Sequence, residues 1–444
     1  MMQKVNGMHL LSKSRGTRNL LLRIITILTR FDITAKKFQR LSNRYVTITD
    51  SLSCVPTFAI TGVTLKRHPA MINELHNRGV EFAVHGYIHT DYRLVSLEQQ
   101  SQHFDKAIKV FENSRIPFNG FRAPFLRING KTPLVLSNLG FRYDSSHIIN
   151  WDIIDQGKYQ KKSWGEYKRL LDYYMPRNAE GYLSLPRFIN NFVEIPVSMP
   201  DDEAMVDRLG ITDKKEISRI WLDILQKTYE RGELFTVQLH PERIEYCDDT
   251  LIDIVRHAKQ HNPPTWVATL QEIAEWWFEK DRFALNIDAE GSGRYRVRAD
   301  CTERATLLLK NCEANTAVTD WANGYRSVGA RDFVLDSPLR PVIGASPDSS
   351  PVAMKFLKAE GFAVEQSNQP EKFGIYLNDL AQFTEADERP LSEKIEQANV
   401  PLVRYWRWPH QARSALSITG DIDSMTLADF ALRIFENWRQ NRRR

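Results

Sequence analysis

Cysteine is scarce in this sequence. Only four cysteines occur among 444 residues, and no two of them form a CxxC pair. They are Cys54, Cys247, Cys301 and Cys312. This spacing excludes a zinc ribbon and a disulfide framework as the basis of the fold. We therefore predict that the protein works in a reducing compartment, the cytoplasm.

Long apolar runs are lacking as well. The most apolar stretch covers residues 20–28, and Arg23 interrupts it. It is too short to cross a bilayer, and no small-residue cleavage site of a signal peptide follows it. We expect no transmembrane segment. An amphipathic helix of this kind would still be able to rest on a membrane surface, so peripheral membrane contact stays open.

A concentrated charge of one sign is also missing. The formal net charge is +5, and basic residues gather only in residues 13–23 and 442–444. A charge this diffuse argues against nucleic acid as a partner. The 42% hydrophobic and 26% charged residues are typical of a soluble globular protein. A chain of this length suffices for two domains, or for one large barrel with an insertion.

Short apolar runs alternate with helical periodicity between residues 46 and 280. The predicted strands cover residues 56–62, 80–84, 118–123, 141–145, 191–197 and 234–239. The predicted helices cover residues 65–78, 96–113, 132–139, 214–230, 250–260 and 270–278. This alternation favours parallel strands joined by crossover helices, in a barrel or a doubly wound sheet.

The pattern changes after residue 281. Residues 294–299 and 305–309 alternate in the manner of a two-faced antiparallel pair. We predict four regions, namely an N-terminal helical segment (1–45), a (β/α) barrel (46–280), a second smaller α+β domain (281–395) and a C-terminal segment (396–444) that returns to the barrel.

Two histidines stand four residues apart where the strand at 80–84 ends. His85 and His89 lie in the stretch HGYIHTDY, and this spacing allows both imidazoles to face one point. The pair alone is weak evidence, because the same spacing also fits one histidine that caps the strand and another that is solvated. Its position strengthens the metal interpretation, since α/β folds place their sites at the carboxyl ends of strands.

Further polar residues follow other predicted strands. Arg122 lies in GFRAPF, Asp144 in YDSS and His240 in QLHP. Each has a structural explanation when taken singly, as a bridge between carboxylates or a satisfied edge residue. Together they predict a shared site at one edge of the sheet.

These motifs resemble those of a known family. The order PTFAITG, RHPAMINEL, FAVHGYIHTDY, GFRAPF, YDSS and QLHP, over roughly residues 50–275, is similar to the NodB-type polysaccharide deacetylases, carbohydrate esterase family four. The resemblance implies a distorted (β/α) barrel that binds a divalent metal through two histidines and one aspartate. It also implies removal of N- or O-acetyl groups from sugars.

The resemblance assigns roles residue by residue. His85 and His89 match the HxxxH metal ligands of the family. Arg122 begins the RxP[YF]-like motif and is expected to orient the catalytic aspartate. His240 matches the LxH general acid, and Asp144 matches a carboxylate that follows the next strand, with a catalytic role as a partner of Arg122.

The chain departs from the family at its front. The TFDD motif of the first strand is absent there, and Asp32 is predicted to be a helix N-cap with residues 34–41 helical behind it. The C-terminus instead holds an apolar strand that ends in Asp421 and Asp423, followed by a helix over residues 427–438.

Alternate residues of a strand share a face, so both C-terminal carboxylates are able to address the site. We predict Asp423 as the third metal ligand and Asp421 as the base. The alternative is that the two carboxylates cap the final helix and favour its dipole. The first interpretation predicts a circularly rearranged barrel with the smaller domain inserted before the displaced strand, which is physically cheap because the chain ends of a barrel are neighbours.

The expected cofactor is a divalent metal, with Zn²⁺ the first choice, although the same ligands suit cobalt, iron or manganese. For the substrate we predict contacts from the backbone N–H of Phe125, from Trp151, and from Tyr405, Trp406 and Trp408 in the RYWRWP stretch. Aromatic faces stack on sugar rings. The alternative for the tryptophans is a place in the core.

Two other functional classes stay open. One is a deformylase or amidase of the same superfamily that acts on a lipid-linked or nucleotide-linked sugar. The other is a catalytically silent glycan-binding protein, which would follow if the two C-terminal carboxylates were remote from the histidines.

Overall fold

The structure is a computed structural model, and it describes residues 30–441. Its helices are α1 Lys36–Ser51, α2 Gly62–Arg67, α3 Pro69–Asn77, α4 Leu97–Ser114, α5 Thr132–Asn138, α6 Lys161–Tyr174, α7 Lys214–Arg231, α8 Ile244–Gln260, α9 Leu270–Lys280, α10 Pro351–Ala359, α11 Glu388–Gln397 and α12 Leu427–Asn441.

The strands of the first part of the chain are β1 Thr57–Ile60, β2 Glu81–Val84, β3 Gly120–Phe121, β4 Tyr143–Asp144, β5 Ile148–Asn150, β6 Arg177–Asn178, β7 Arg187–Ile189, β8 Phe192–Glu194, β9 Val197–Met199, β10 Leu234–Gln238 and β11 Thr265–Val267. The later strands are β12 Ala284–Gly291, β13 Arg294–Asp300, β14 Leu307–Lys310, β15 Glu313–Ala314, β16 Val318–Asp320, β17 Tyr325–Val328, β18 Asp332–Asp336, β19 Arg340–Ala345, β20 Val364–Gln366, β21 Phe373–Leu377, β22 Leu402–Tyr405 and β23 Ser414–Ile422.

The main sheet is a curled half-barrel of nine strands. Its order is β10-β23-β1-β2-β3-β4-β8-β7, and β11 also pairs with β23. All of these pairs are parallel except β7 with β8. This confirms the predicted α/β fold class. The last strand of the chain thus lies between β10 and β1.

Burial explains why the C-terminal strand belongs inside the sheet. All nine residues of β23 are buried, as are all residues of its neighbours β1 and β10. A strand that is apolar on both faces is stable only where both faces are covered, as in the middle of a parallel α/β sheet. The register pairs Ala59 with Asp421 and Gln238 with Thr419. Asp421 and His240 therefore come to the same edge.

At Gly420, β23 passes close to the backbone that follows β10. A Cβ at this position would lie 2.1 Å from the carbonyl oxygen of Leu239, which is backbone and unable to swing away. We expect Gly420→Ala to lower the free energy of unfolding by about 1–3 kcal/mol, the usual effect of overpacking. Urea unfolding checks this, with Gly329→Ala as the control because an added Cβ there meets nothing within 4 Å. Equal losses in the two variants would contradict the prediction.

The strand pairing predicted after residue 281 is wrong. β13 pairs with β12 and β18, whereas β14 pairs with β17 and β22 in a different sheet. The physical reason is that all four residues of β14 are buried, so residues 305–309 do not form a two-faced strand. A third sheet contains β19, β20 and β21. Because β22 pairs with β14, the chain rejoins the main sheet only at Ser414.

The structure describes only residues 30–45 of the predicted N-terminal helical segment (1–45). Helix α1 begins at Lys36 with Ala35 in the cap position, so Asp32 is not its N-cap. The backbone of Asp32 instead pairs with the start of α12, where its carbonyl accepts from the N–H of Leu427 at 3.0 Å. The apolar run at 20–28 lies outside the described residues. Between residues 30 and 441, no helix is both long and apolar enough to cross a membrane.

Candidate metal centre

Two loops at the carboxyl edge of the main sheet bring His85, His89 and Asp423 together. His85 directly follows β2, and Gly86, with φ +75°, turns the chain so that His89 comes back over the strand end. Asp423 directly follows β23. The three residues each offer a ligand atom, and all three atoms lie within 4.8 Å of one another. One divalent ion is able to reach all three.

The ligand atoms point at one another. His85 Nε2 lies 3.3 Å from Asp423 Oδ1, and His89 Nε2 lies 3.3 Å from Asp423 Oδ2. The Nδ1–H of His85 donates to the carbonyl oxygen of Arg122 at 2.8 Å, which leaves the lone pair on Nε2. Such a hydrogen bond on the far nitrogen is the usual support of a metal-binding histidine.

The buried atoms of this cluster fit a cation. His85 Nε2 and Asp423 Oδ1 are buried and have no hydrogen-bond partner within the described part of the chain. Buried polar atoms nearly always have a hydrogen-bond partner. Two facing atoms that carry lone pairs and lack such a partner indicate an ion between them. The donor set of two imidazoles and one carboxylate suits Zn²⁺ and its first-row neighbours.

The protonation states also suit a metal. Burial, and then the positive charge of Arg433, hold the pKa of His89 well below its usual range. Burial alone would raise the pKa of Asp423, but the neighbouring His89 and Arg433 outweigh it, and the pKa lies well below its usual range. A neutral imidazole and an ionised carboxylate are the forms that bind a metal. Arg433, on α12, donates to Asp423 Oδ2 at 2.7 Å, and nothing in the sequence pattern marked this residue.

A second carboxylate lies beside the cluster. Asp421 Oδ2 is 3.9 Å from His85 Nε2 and accepts from Gln238 Nε2 at 2.9 Å. Its Oδ1 accepts from Arg122 Nη1 at 3.1 Å. Arg122 is buried, and further hydrogen bonds to Ser145 fix its guanidinium. Sequence reasoning missed Gln238, although QLH places it two residues before His240.

The capping alternative for the C-terminal carboxylates does not fit the first turn of α12. Thr426 and Asp429 satisfy that turn, because Asp429 Oδ2 accepts from the backbone N–H groups of Met425 and Thr426. Asp421 and Asp423 face the histidines instead.

His240 is paired with an aspartate that sequence reasoning missed. Its Nδ1 lies 2.9 Å from Asp202 Oδ1, and both side chains are buried. Burial would lower the pKa of His240, but the Asp202 carboxylate overrides it and raises the pKa to about 9. The available signal was the pair Asp201-Asp202, which follows β9 after a single proline.

Asp144 is near Arg122 without bonding to it among the described residues. Arg122 donates to the neighbouring Ser145, whereas Asp144 accepts from the hydroxyl of Ser146. Burial raises the pKa of Asp144 to about 6. Burial, and then the charge of Asp144, raise the pKa of Glu194 well above its usual range. The structure thus links Asp144 to Glu194, which the sequence did not indicate.

The predicted aromatic contacts divide into two groups. The Phe125 ring lies edge-on to His89, with centroids 4.3 Å apart, and is therefore at the site. The structure corrects the expectation for the other four, which are buried and 4% exposed or less, namely Trp151, Tyr405, Trp406 and Trp408. The indole N–H of Trp408, for example, donates to the Gly232 carbonyl oxygen. These side chains belong to the hydrophobic core, Trp151 to one cluster of buried residues and the other three to another.

Comparison with known proteins gives concordant results. Residues 24–143 match the family model described as polysaccharide deacetylase. The peptidoglycan deacetylase-like protein FGM2 of Gibberella zeae is 26% identical over 249 residues, which cover 51% of this chain and 71% of that protein. Asp202, His240, Asp421 and Asp423 lie outside the residues that the family model matches.

Solved structures show weaker similarity. A structure described as a polysaccharide deacetylase from Mycobacterium smegmatis has 21% identity and a TM-score of 0.42, over 53% of this chain and 76% of that one. The Puue allantoinase has 19% identity and a TM-score of 0.39, over 53% of this chain and 70% of that one. The match to the family model and the similarity to FGM2 make the chain similar to the polysaccharide deacetylases, and they support a hydrolase that acts on carbon–nitrogen bonds.

Proposed function

We propose that this protein is a metal-dependent deacetylase that removes an N- or O-acetyl group from a saccharide in the cytoplasm. The observation that supports this most is the convergence of His85, His89 and Asp423 within 4.8 Å, with Asp421 beside them. We also propose that β23 and α12 are the first strand and helix of the family, displaced to the end of the chain. The parallel pairing of β23 with both β1 and β10 supports this.

The proposed ligands are His85, His89 and Asp423, and Zn²⁺ is the proposed metal. A divalent ion bound there would polarise the acetyl carbonyl and lower the pKa of a water molecule. The three protein ligands leave coordination positions for water and substrate, as catalytic sites require.

Asp421 is proposed to take the proton from the attacking water. Arg122 donates to one of its oxygens and Gln238 donates to the other. These two donors prevent rotation of the carboxylate and hold it next to the ligand cluster. A base held in this way needs no reorganisation when the water attacks.

His240 is proposed to donate a proton to the leaving amine or hydroxyl. Its Nδ1 faces Asp202, so Nε2 is the nitrogen left to carry out this transfer. The backbone N–H of Phe125 is proposed to donate to the oxygen on which negative charge develops.

Product analysis tests the proposed function. Metal-loaded protein is incubated with matched N-acetylated and N-formylated amino sugars, and the released acetate and formate are quantified. Acetate release supports the deacetylase, whereas formate release alone supports the deformylase alternative. Metal binding without release of either acid from any saccharide would overturn the proposal in favour of a glycan-binding protein.

The pH dependence should report the pair formed by His240 and Asp202. We expect kcat to fall as the pH rises through about 9, because His240 loses the proton that it donates. Asp202→Asn removes the charge that raises this pKa, so the basic limb of the pH–rate profile should move to lower pH. Asp223→Asn on the surface of α7 is the control. A basic limb that stays in place in Asp202→Asn would contradict the assignment of His240 as the acid.

A further inference from the structure

A cavity of about 480 Å³ opens at the carboxyl edge of the main sheet, the edge that also carries the proposed metal centre. The loops that follow β3 and β4 form much of its wall, through Leu126 to Gly130 and through Ser146 to Ile148. These loops leave the same carboxyl edge of the sheet as the ligand cluster. The described residues that line the cavity include three arginines and no carboxylate, and the arginines are Arg93, Arg127 and Arg177.

The wall of the cavity contacts the backbone next to Arg122. The hydroxyl of Ser146, which lines the cavity, accepts from the backbone N–H of Ala123 at 2.9 Å. Ala123 directly follows Arg122, the residue that holds Asp421. On another side, Asp91 lies two residues beyond His89 and approaches Arg127, with 3.4 Å between Oδ2 and Nε. A saccharide at the metal centre is therefore able to extend into the cavity.

The charges around the cavity leave an excess of positive charge. Asp91 offsets Arg127, and Glu385 forms an ion pair with Arg177. Arg93 donates to Met175 Sδ at 3.4 Å, and among residues 30–441 its guanidinium has no carboxylate partner. Arg127 stacks over the ring of Tyr173 at 4.1 Å, which fixes its planar head. The guanidinium of Arg93 thus remains available to an anion, and the fixed head of Arg127 lines the same partly enclosed space.

We infer that this cavity binds an anionic group, a phosphate or a carboxylate, carried by the saccharide whose acetyl group lies at the metal centre. The inference rests on the proposed function and narrows its substrate to an acidic or phosphorylated sugar. Arginine presents a planar fork of N–H donors that matches both kinds of oxyanion in a bidentate manner. A neutral glycan offers these donors no charged acceptor, so it makes weaker hydrogen bonds with them than an anionic group does.

Direct binding tests the inference without turnover. Metal-loaded protein is titrated by calorimetry with glucose, glucose 1-phosphate and glucuronate, none of which has an acetyl group. We expect the two anionic sugars to bind, and the Kd of the preferred one to rise about tenfold or more in Arg93→Gln and in the double variant with Arg127→Gln. The comparison between the two anions identifies whether phosphate or carboxylate is preferred. The surface substitution Arg219→Gln on α7 is the control for lost positive charge.

Kinetics separates the two proposals. With N-acetylglucosamine and its 1-phosphate, Arg93→Gln should reduce the ratio of kcat/KM for the anionic over the neutral substrate about tenfold, through KM. Anion binding that depends on Arg93, in a protein with no turnover, would retain the inference and remove the proposed function. Turnover with equal kcat/KM for both substrates, unchanged in Arg93→Gln, would overturn the inference and retain the function. Equal binding of glucose and the anionic sugars would also overturn it.

Discussion

Asp421→Asn is expected to lower kcat by about a thousandfold while the bound metal stays at the wild-type level, since general-base catalysis contributes roughly 10²–10⁴. The amide has nearly the shape of the carboxylate, so the buried position is still filled. It is unable to accept the proton of the attacking water. The expected combination of lost turnover and retained metal is specific to a base that is not a ligand.

The measurement is the initial rate of acetate release together with the metal content of the same sample. Asp32→Asn is the matched control, because Asp32 is an exposed aspartate at the front of the chain, where the family places its own carboxylate motif. We expect this control to keep wild-type activity. Retained activity in Asp421→Asn, or lost metal, would remove Asp421 as the base.

The sequence predicted the parts of the site that depend on local pattern. His85 and His89 are four residues apart directly after a buried strand, so their convergence follows from one turn. Asp421 and Asp423 end a run of residues that only a central strand would bury. Each of these predictions needs only the geometry of one strand and the loop after it.

The partners of these residues were not predictable in the same way. Asp202 is 38 residues from His240, and Gln238 is 183 residues from Asp421. Which side chains meet across such separations depends on the order of strands in the sheet. That order places the last strand, β23, beside β10. The local sequence of β10 does not indicate which strand will pair with it. Arg433 likewise reaches Asp423 only because α12 packs back over the site.

Aromatic residues were the least informative signal. The RYWRWP stretch has the composition of a sugar-binding surface, yet its tyrosine and tryptophans are buried. Composition does not distinguish a ring that stacks on a ligand from a ring that stacks on protein. In both cases the same apolar area of the ring is removed from water, and the free energy of transfer is similar. Phe125 is at the site because it lies in the loop that follows β3. Its position in the chain, and not its residue type, therefore indicated its place at the site.

Asp423→Ala is expected to abolish metal binding under conditions that saturate the wild-type protein. Asp423 is the carboxylate that lies between the two histidines, 3.3 Å from the Nε2 of each. Without it, two imidazoles remain close to the positive charge of Arg433, which no longer has this acceptor. Loss of an outer-shell partner typically costs about 10–100-fold in metal affinity, and we expect the loss of a ligand to exceed that range.

Equilibrium dialysis against Zn²⁺, followed by elemental analysis, measures the effect as metal bound per chain. Asp429→Ala is the comparison, because Asp429 also lies at the start of α12 and its carboxylate accepts from backbone N–H groups of that turn. We expect it to lower stability while metal binding persists. If Asp423→Ala binds metal as tightly as the wild type, the C-terminal strand does not complete the centre, and His85 and His89 would require another carboxylate.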